Sequence, residues 1–227
     1  FTKAPGTFVN KNEIDEEFIY GFGKAVGKLH ALTKQYKPVH KRYHWHEEDY
    51  VGIGKRNLPK DKMYVVDKTI DHVKRLTQYS TDIDSYGLIH TDLHFGNMFY
   101  DGSVLTFFDW DDSSYKHFIS DIAIIIFYAY GIGPLTDVEI EDKTIWFLRP
   151  FIKGYETENH LEYFWFKQLN EFFKLRELIL VMVIYAAGED MVNSGFGKAF
   201  LGKYEKRILN DVPFFNIERV LKELWSL

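Results

Sequence analysis

The chain has 227 residues, 46% hydrophobic and 27% charged, a globular balance that excludes wholesale disorder. It has no cysteine, which removes disulfides, thiolate zinc sites, iron–sulfur clusters and a cysteine nucleophile. A formal charge of −5 provides no global basic field for nucleic acid, and 20 Phe, 15 Tyr and 5 Trp point to a large aromatic-rich helical core.

Residue 1 is Phe, and no basic, apolar and small-residue leader follows it. The expectation is a fragment or a processed product. Phe1 to Gly6 reads as an extended segment ending in a Pro-Gly turn. Asn12 is positioned to cap a helix from about Glu13 to Gln35, with Phe18, Phe22, Val26 and Leu29 recurring on one face. Residues 38–62 have no period and read as a long loop with at most a helical turn. A second helix is expected over Met63 to Tyr79, then a short buried strand from Gly87 to His90. Asn97 to Tyr100 and Val104 to Phe108 form a hairpin about the Asp101-Gly102 turn. The remainder reads as helices over about 120–131, 138–154, 159–173, 174–194, 200–210 and 216–226, with Pro134, Pro150 and Pro213 as breaks or bends. The longest apolar run, Ile122 to Tyr130, falls far short of the roughly 20 residues that cross a bilayer. A single α-rich domain over 1–227, with a small central β-hairpin, in a soluble cytoplasmic protein without membrane or nucleic-acid partners, is the expectation.

Chemistry concentrates in HTDLHFGN, His90 to Asn97, and FFDWDD, Phe107 to Asp112. Asn97 follows Asp92 by five residues and Asp109 follows Asn97 by twelve, across the hairpin. The fold-back returns Asp109 close to Asn97, so a carboxylate and an amide oxygen can share a hard cation. Mg²⁺ takes few protein oxygens and keeps phosphate and water for the rest of its shell. Asp92 can face that cation without coordinating it and accept a proton from an attacking hydroxyl. The spacing is that of phosphoryl transfer, H-x-D-x-x-x-x-N and then a metal Asp.

These segments resemble the aminoglycoside phosphotransferase and choline kinase group, whose hallmark is H-G-D-x-H-x-x-N followed by an apolar-D-W/F-D/E segment. Thr91 replaces the usual Gly. Gly23 to Tyr36 resembles the helix after the interlobe hinge in bacterial members, and Ser120 to Ala123 resembles the D-L-A segment. The resemblance implies the mostly α C-terminal lobe of a protein-kinase-like fold, with the N-terminal β lobe absent from the chain. It implies Asp92 as catalytic base, Asn97 and Asp109 as Mg²⁺ ligands, and His90 and Asp121 as catalytic-loop supports. Residues 1–6 align with the interlobe hinge, which makes Thr2, Lys3 and Ala4 candidate adenine contacts. The implied reaction is ATP-dependent phosphorylation of a small hydroxyl compound such as an aminoglycoside, choline or homoserine. A non-catalytic kinase-like binding or regulatory module is the second reading.

Other features carry less. Gly21-Phe22-Gly23 with Gly27-Lys28 fits no phosphate-loop spacing and lies inside a helical pattern, so close helix packing is expected. His40, His44 and His46 with Glu47, Glu48 and Asp49 read as solvated surface rather than a metal cluster. His90, Asp92 and His94 as a metal-dependent hydrolase would need further ligands from His117 or His160. Arg176-Glu177 and Glu189-Asp190 read as surface charges on helices, with the acceptor wall that the resemblance implies for late helices as the alternative, and Trp146, Trp165, Phe166 and Tyr185 as core, with a pocket lining as the alternative.

Overall fold

The computed structural model describes residues 3–10 and 14–226. In chain order its elements are β1 (Thr7–Phe8), α1 (Glu16–Thr33), α2 (Tyr50–Asn57), α3 (Tyr64–Leu76), β2 (Tyr86–Ile89), β3 (Met98–Tyr100), β4 (Leu105–Phe107), β5 (Ser114–His117), α4 (Ile119–Ile126), α5 (Asp137–Tyr155), α6 (Tyr163–Lys167), α7 (Leu169–Ala186), α8 (Glu189–Asn193), α9 (Gly195–Leu209) and α10 (Ile217–Trp225). Single 3-10 turns at Trp45–Glu47, Lys60–Lys62 and Phe95–Asn97, and one π-helical turn at Phe127–Gly131, complete the set. The expected mostly helical fold with a small central hairpin is observed. No described helix is long and apolar enough to cross a membrane.

Two compact units emerge: residues 1–44, 81–169 and 215–227 in the first, and 45–80 with 170–214 in the second.

In the first unit α1 starts at its Asp15 cap, whose Oδ1 accepts from the Phe18 amide at 2.8 Å; Asn12 and Glu13 lie outside the described residues. Phe18, Ile19, Phe22, Val26 and His30 form the buried stripe of α1. α1 lies tightly on α5 because glycine meets backbone. A methyl group at Gly23 would overlap the Phe151 carbonyl, and one at Gly27 the Tyr155 carbonyl. The packing reading of those glycines therefore holds, while Gly21 faces open space. α5 continues through Pro150 to Tyr155. Every residue of α4 is buried.

The hairpin forms where expected. β3 pairs antiparallel with β4 in the register Met98↔Phe107, Phe99↔Thr106 and Tyr100↔Leu105, and β1 adds to the free edge of β3. Asp101 fixes the turn by accepting from Ser103 N at 2.9 Å and Val104 N at 2.7 Å, and Gly102 supplies φ +97°. β2 pairs with β5, a strand absent from the sequence reading. Its Ser-Tyr-Lys-His run looks polar, yet Ser114, Lys116 and His117 are all buried.

In the second unit, the stretch expected to be a loop contains α2. Asp49 Oδ1 caps it by accepting from Gly52 N at 3.1 Å, and Gly54 packs against Val66 of α3 and Met182 of α7. Glycines at both positions hide the helical period. The helix expected over 174–194 is divided, because Gly188 adopts φ +93° between α7 and α8. The one expected to end at 173 stops at Lys167, and α7 begins at Leu169.

Candidate active site

The segment 90–97 runs from the end of β2 into β3, so two sheet strands fix its ends. Its spine is Asp121 at the start of α4, which is 0% exposed. Asp121 Oδ1 accepts from Thr91 N at 2.8 Å, and Oδ2 accepts from His90 N at 3.1 Å. A carboxylate here satisfies two loop amides that no strand reaches, which is the physical content of a brace.

Behind Asp121 stands a residue the sequence reading did not single out. His30 of α1, also 0% exposed, brings Nε2 to 3.3 Å from Asp121 Oδ2 and Nδ1 to 2.9 Å from the Tyr155 hydroxyl. Asn159 Nδ2 donates to that hydroxyl at 2.8 Å. The partners assign the protons: Tyr155 O–H donates to Nδ1, and Nε2–H donates to Asp121. Burial pushes the Tyr155 phenol far above its ordinary value, so it remains a donor. The His30 ring also stacks on Phe118 at 4.5 Å. His30 sits on the core face of α1, and its spacing alone cannot separate it from a packing residue.

His90 locks the loop to the second motif. Its Nε2 donates to the Phe108 carbonyl at 2.9 Å and its ring lies 4.6 Å from Trp110. Phe108 N in turn donates to the Asn97 carbonyl at 3.1 Å, extending the hairpin register by one pair. Asp109 thus lies one residue past the partner of Asn97, at the open end of the hairpin. Arg42 reaches the carbonyls of Trp110 and Asp111 at 3.4 and 3.3 Å. His44 is also tied in, 2.8 Å from the Tyr86 hydroxyl and stacked on Tyr115.

Asn97 turns its amide nitrogen to Asp92, donating to the main-chain oxygen at 3.0 Å and to Oδ2 at 3.2 Å. That leaves its Oδ1 without a donor among the described residues. Asp109 is exposed and has no hydrogen-bond or ion-pair partner among the described residues. An amide oxygen and a carboxylate, both hard donors and neither engaged by the protein, fit an oxygen-seeking divalent cation. Asp92 is a quarter exposed, and His94 Nε2 lies 3.4 Å from its Oδ2.

Two residues at the site, Thr91 and Asp109, both have φ +66°. The left-handed region costs an L-residue roughly 1–2 kcal/mol, and a β-branched side chain feels it most. The position where the resembling motif carries glycine is therefore one that suits glycine. Thr91 offsets part of the cost by donating from Oγ1 to the Asp112 carbonyl at 2.5 Å. Strain at both ends of the constellation marks a backbone held by its surroundings.

The structure ties His90 to Asp121 and Asp92 to Asn97 within one loop, and sets Asp109 just past the strand that pairs with the start of β3. Lys3 is exposed and Ala4 half-buried before β1, and neither makes a hydrogen bond or ion pair with Asp92, Asn97 or Asp109; Thr2 lies outside the described residues. The extra ligands a metal hydrolase would need are committed elsewhere. His160 Nδ1 lies 2.7 Å from Glu156, and the His117 ring packs against Tyr86 and Trp165. No three His, Asp or Glu side chains converge as a metal cluster among the described residues. Glu177, expected at the surface, is fully buried beside Lys174 Nζ at 2.6 Å, whereas Trp146, expected in the core, is 39% exposed.

A family model described as the phosphotransferase enzyme family matches residues 2–155. The amicoumacin kinase of Bacillus subtilis (strain 168) is 31% identical over 218 residues, covering 94% of this chain and 64% of that protein. A solved amicoumacin kinase in complex with AMP-PNP, Ca²⁺ and Ami matches with a TM-score of 0.85 at 30% identity, over 96% of this chain and 66% of the other. The choline kinase of Streptococcus pneumoniae shares the fold, with a TM-score of 0.56 at 18% identity over 94% of this chain and 66% of its own. The chain spans just under two thirds of the length of the relatives it matches.

Proposed function

The chain belongs to the phosphotransferase enzyme family, and we propose that it serves the ATP- and Mg²⁺-dependent phosphorylation of a hydroxyl group on a small molecule. The observation that carries this reading is the arrangement of three side chains. Asn97 is oriented by Asp92 through bonds of 3.0 and 3.2 Å, and Asp109, one residue past the Phe108 that pairs with Asn97, has no hydrogen-bond or ion-pair partner among the described residues. The kinases of like sequence and fold support the same reaction class.

In this reading Asp92 accepts a hydrogen bond from the acceptor hydroxyl and takes its proton as the oxygen attacks the γ-phosphorus. The new P–O bond forms in line with the breaking bond to the β-phosphate oxygen, and ADP leaves. Asn97 holds the Asp92 carboxylate in place. Asn97 Oδ1 and Asp109 would hold magnesium, and that ion would supply positive charge to offset the charge of the phosphates. His90 and Asp121 position the loop: one ties it to the strand before Asp109, the other satisfies its amides. Preorganised groups of this kind contribute more than in water because they need no reorganisation during reaction.

A binding module without chemistry would gain nothing from strain at Thr91 and Asp109 or from an unpaired carboxylate. The test is ADP release by the full-length protein with Mg²⁺-ATP across a panel of alcohols, repeated with Asp109→Asn. Loss of about 10³-fold in kcat, with a higher Mg²⁺ requirement, is expected by analogy with other electrostatic groups. Parental turnover and metal dependence in Asp109→Asn would remove Asp109 from the metal site.

A further inference from the structure

A cavity of about 460 Å³ opens on the catalytic loop, within the size range of small-molecule sites. His94, Phe95 and Gly96, the residues between Asp92 and Asn97, form one wall. Tyr128 and Tyr130, and Lys143 and Trp146 of α5, also line it. The His94 ring lies 4.7 Å from Tyr128 while its Nε2 lies 3.4 Å from Asp92 Oδ2, so one side chain links the cavity to the carboxylate assigned as base.

The lining has a definite chemistry. Phe95, Tyr128, Tyr130 and Trp146 present rings, and Trp146 remains 39% exposed although it is large and apolar. Tyr128 and Tyr130 come from the π-helical turn Phe127–Gly131, a geometry that places side chains where a regular helix would not and that is frequent at functional sites. Burial pushes the Tyr130 phenol up to about 12, so it is a neutral donor at physiological pH. Lys143 is the one lining residue with a fixed charge among those described. Its neighbour one turn back, Glu139, accepts from Thr136 N at 2.8 Å in the α5 capping box and feels the Lys143 charge as a weaker attraction than those bonds. Asp142 points its charge into the adjoining groove and pairs there with Arg219.

An aromatic box alone would suit a quaternary ammonium, which the faces of the rings attract. A lysine on its wall repels such a ligand and attracts its opposite. We propose that this cavity receives the acceptor and that the acceptor is an aromatic alcohol carrying an anionic group, its ring against Trp146 and Tyr128 and its anion toward Lys143. This rests on the phosphotransferase reading and names the substrate class for the same site. A cationic acceptor of the choline type does not fit it.

The test compares 4-(hydroxymethyl)benzoate with choline as acceptors for the full-length protein with Mg²⁺-ATP, and measures binding of the same two probes by saturation-transfer NMR without nucleotide. The aromatic acid is expected to exceed choline by at least about tenfold in kcat/KM, Lys143→Glu to reverse that preference, and Trp146→Ala to raise KM for the aromatic acid more than it lowers kcat. Choline as the better acceptor, or an unchanged ratio in Lys143→Glu, overturns the assignment. So does failure of the aromatic acid to bind. Lys143-dependent binding of the aromatic acid without phosphorylation of any alcohol upholds the pocket and refutes the phosphotransferase reading instead.

Discussion

Replacing Asp121 with Ala deletes one carboxylate and strands three buried donors: His90 N–H, Thr91 N–H and His30 Nε2–H, at 3.1, 2.8 and 3.3 Å. The side chains of His30 and Asp121 are both fully buried, so water cannot reach them in the folded state. An unsatisfied buried donor costs about 1–3 kcal/mol, which bounds the loss at roughly 3–9 kcal/mol. Relief of strain at Thr91 and loss of a buried charge both reduce it, and about 4 kcal/mol is the expected result. Amide hydrogen exchange reads this residue by residue. His90 and Thr91 amides should exchange about 10³-fold faster in Asp121→Ala, since each tenfold corresponds to about 1.4 kcal/mol. A double-mutant cycle with His30→Leu and Asp121→Asn should give a coupling of about 1–2 kcal/mol. Less than tenfold acceleration at both amides, or additive single mutants, would show that Asp121 does not brace the loop.

Two further predictions concern stability. Burial pushes the Glu177 carboxyl up to about 7, outweighing the attraction of Lys174 and Arg207. Its ordinary value is 4.5, so between these values the folded state binds more protons than the unfolded state. Stability then falls as pH rises through that window, by about 3 kcal/mol at most. Glu177→Gln should remove that slope in urea midpoints measured from pH 4.5 to 8, and parallel pH profiles would contradict it. On α1, Gly23→Ala should destabilise by about 1–3 kcal/mol through overlap with Phe151, while Gly21→Ala, which meets open space, should stabilise by up to about 1 kcal/mol. Thermal denaturation separates the two, and equal effects would refute the close-packing account.

The candidate site could be proposed from sequence because its residues are local in the chain. Asp92, Asn97 and Asp109 lie within one loop and one hairpin, and the Asp101-Gly102 turn fixes how that hairpin folds back. The glycines of α1 were legible for a related reason, since no phosphate loop sits inside a helical period. What escaped the sequence depends on distant partners. Ser114 to His117 reads as polar and becomes a buried strand only because β2 is alongside. α2 lacks a period because Gly52 and Gly54 interrupt it, and Gly54 is explained by Met182, more than a hundred residues away. His30 looks like any core residue of α1 until Asp121 and Tyr155 arrive from elsewhere. The aromatic cavity draws on three separate segments, so the sequence could offer Trp146 as a pocket residue only as the lesser alternative to core.

The central claim rests on Asp92 as the group that takes the acceptor's proton. Asp92→Asn keeps the side chain's size and its acceptor oxygen toward Asn97 but cannot take a proton. Measured as kcat on the full-length protein with Mg²⁺-ATP and any alcohol it phosphorylates, the account predicts a loss of about 10³-fold or more with ATP affinity retained. Near-parental turnover by Asp92→Asn would contradict it.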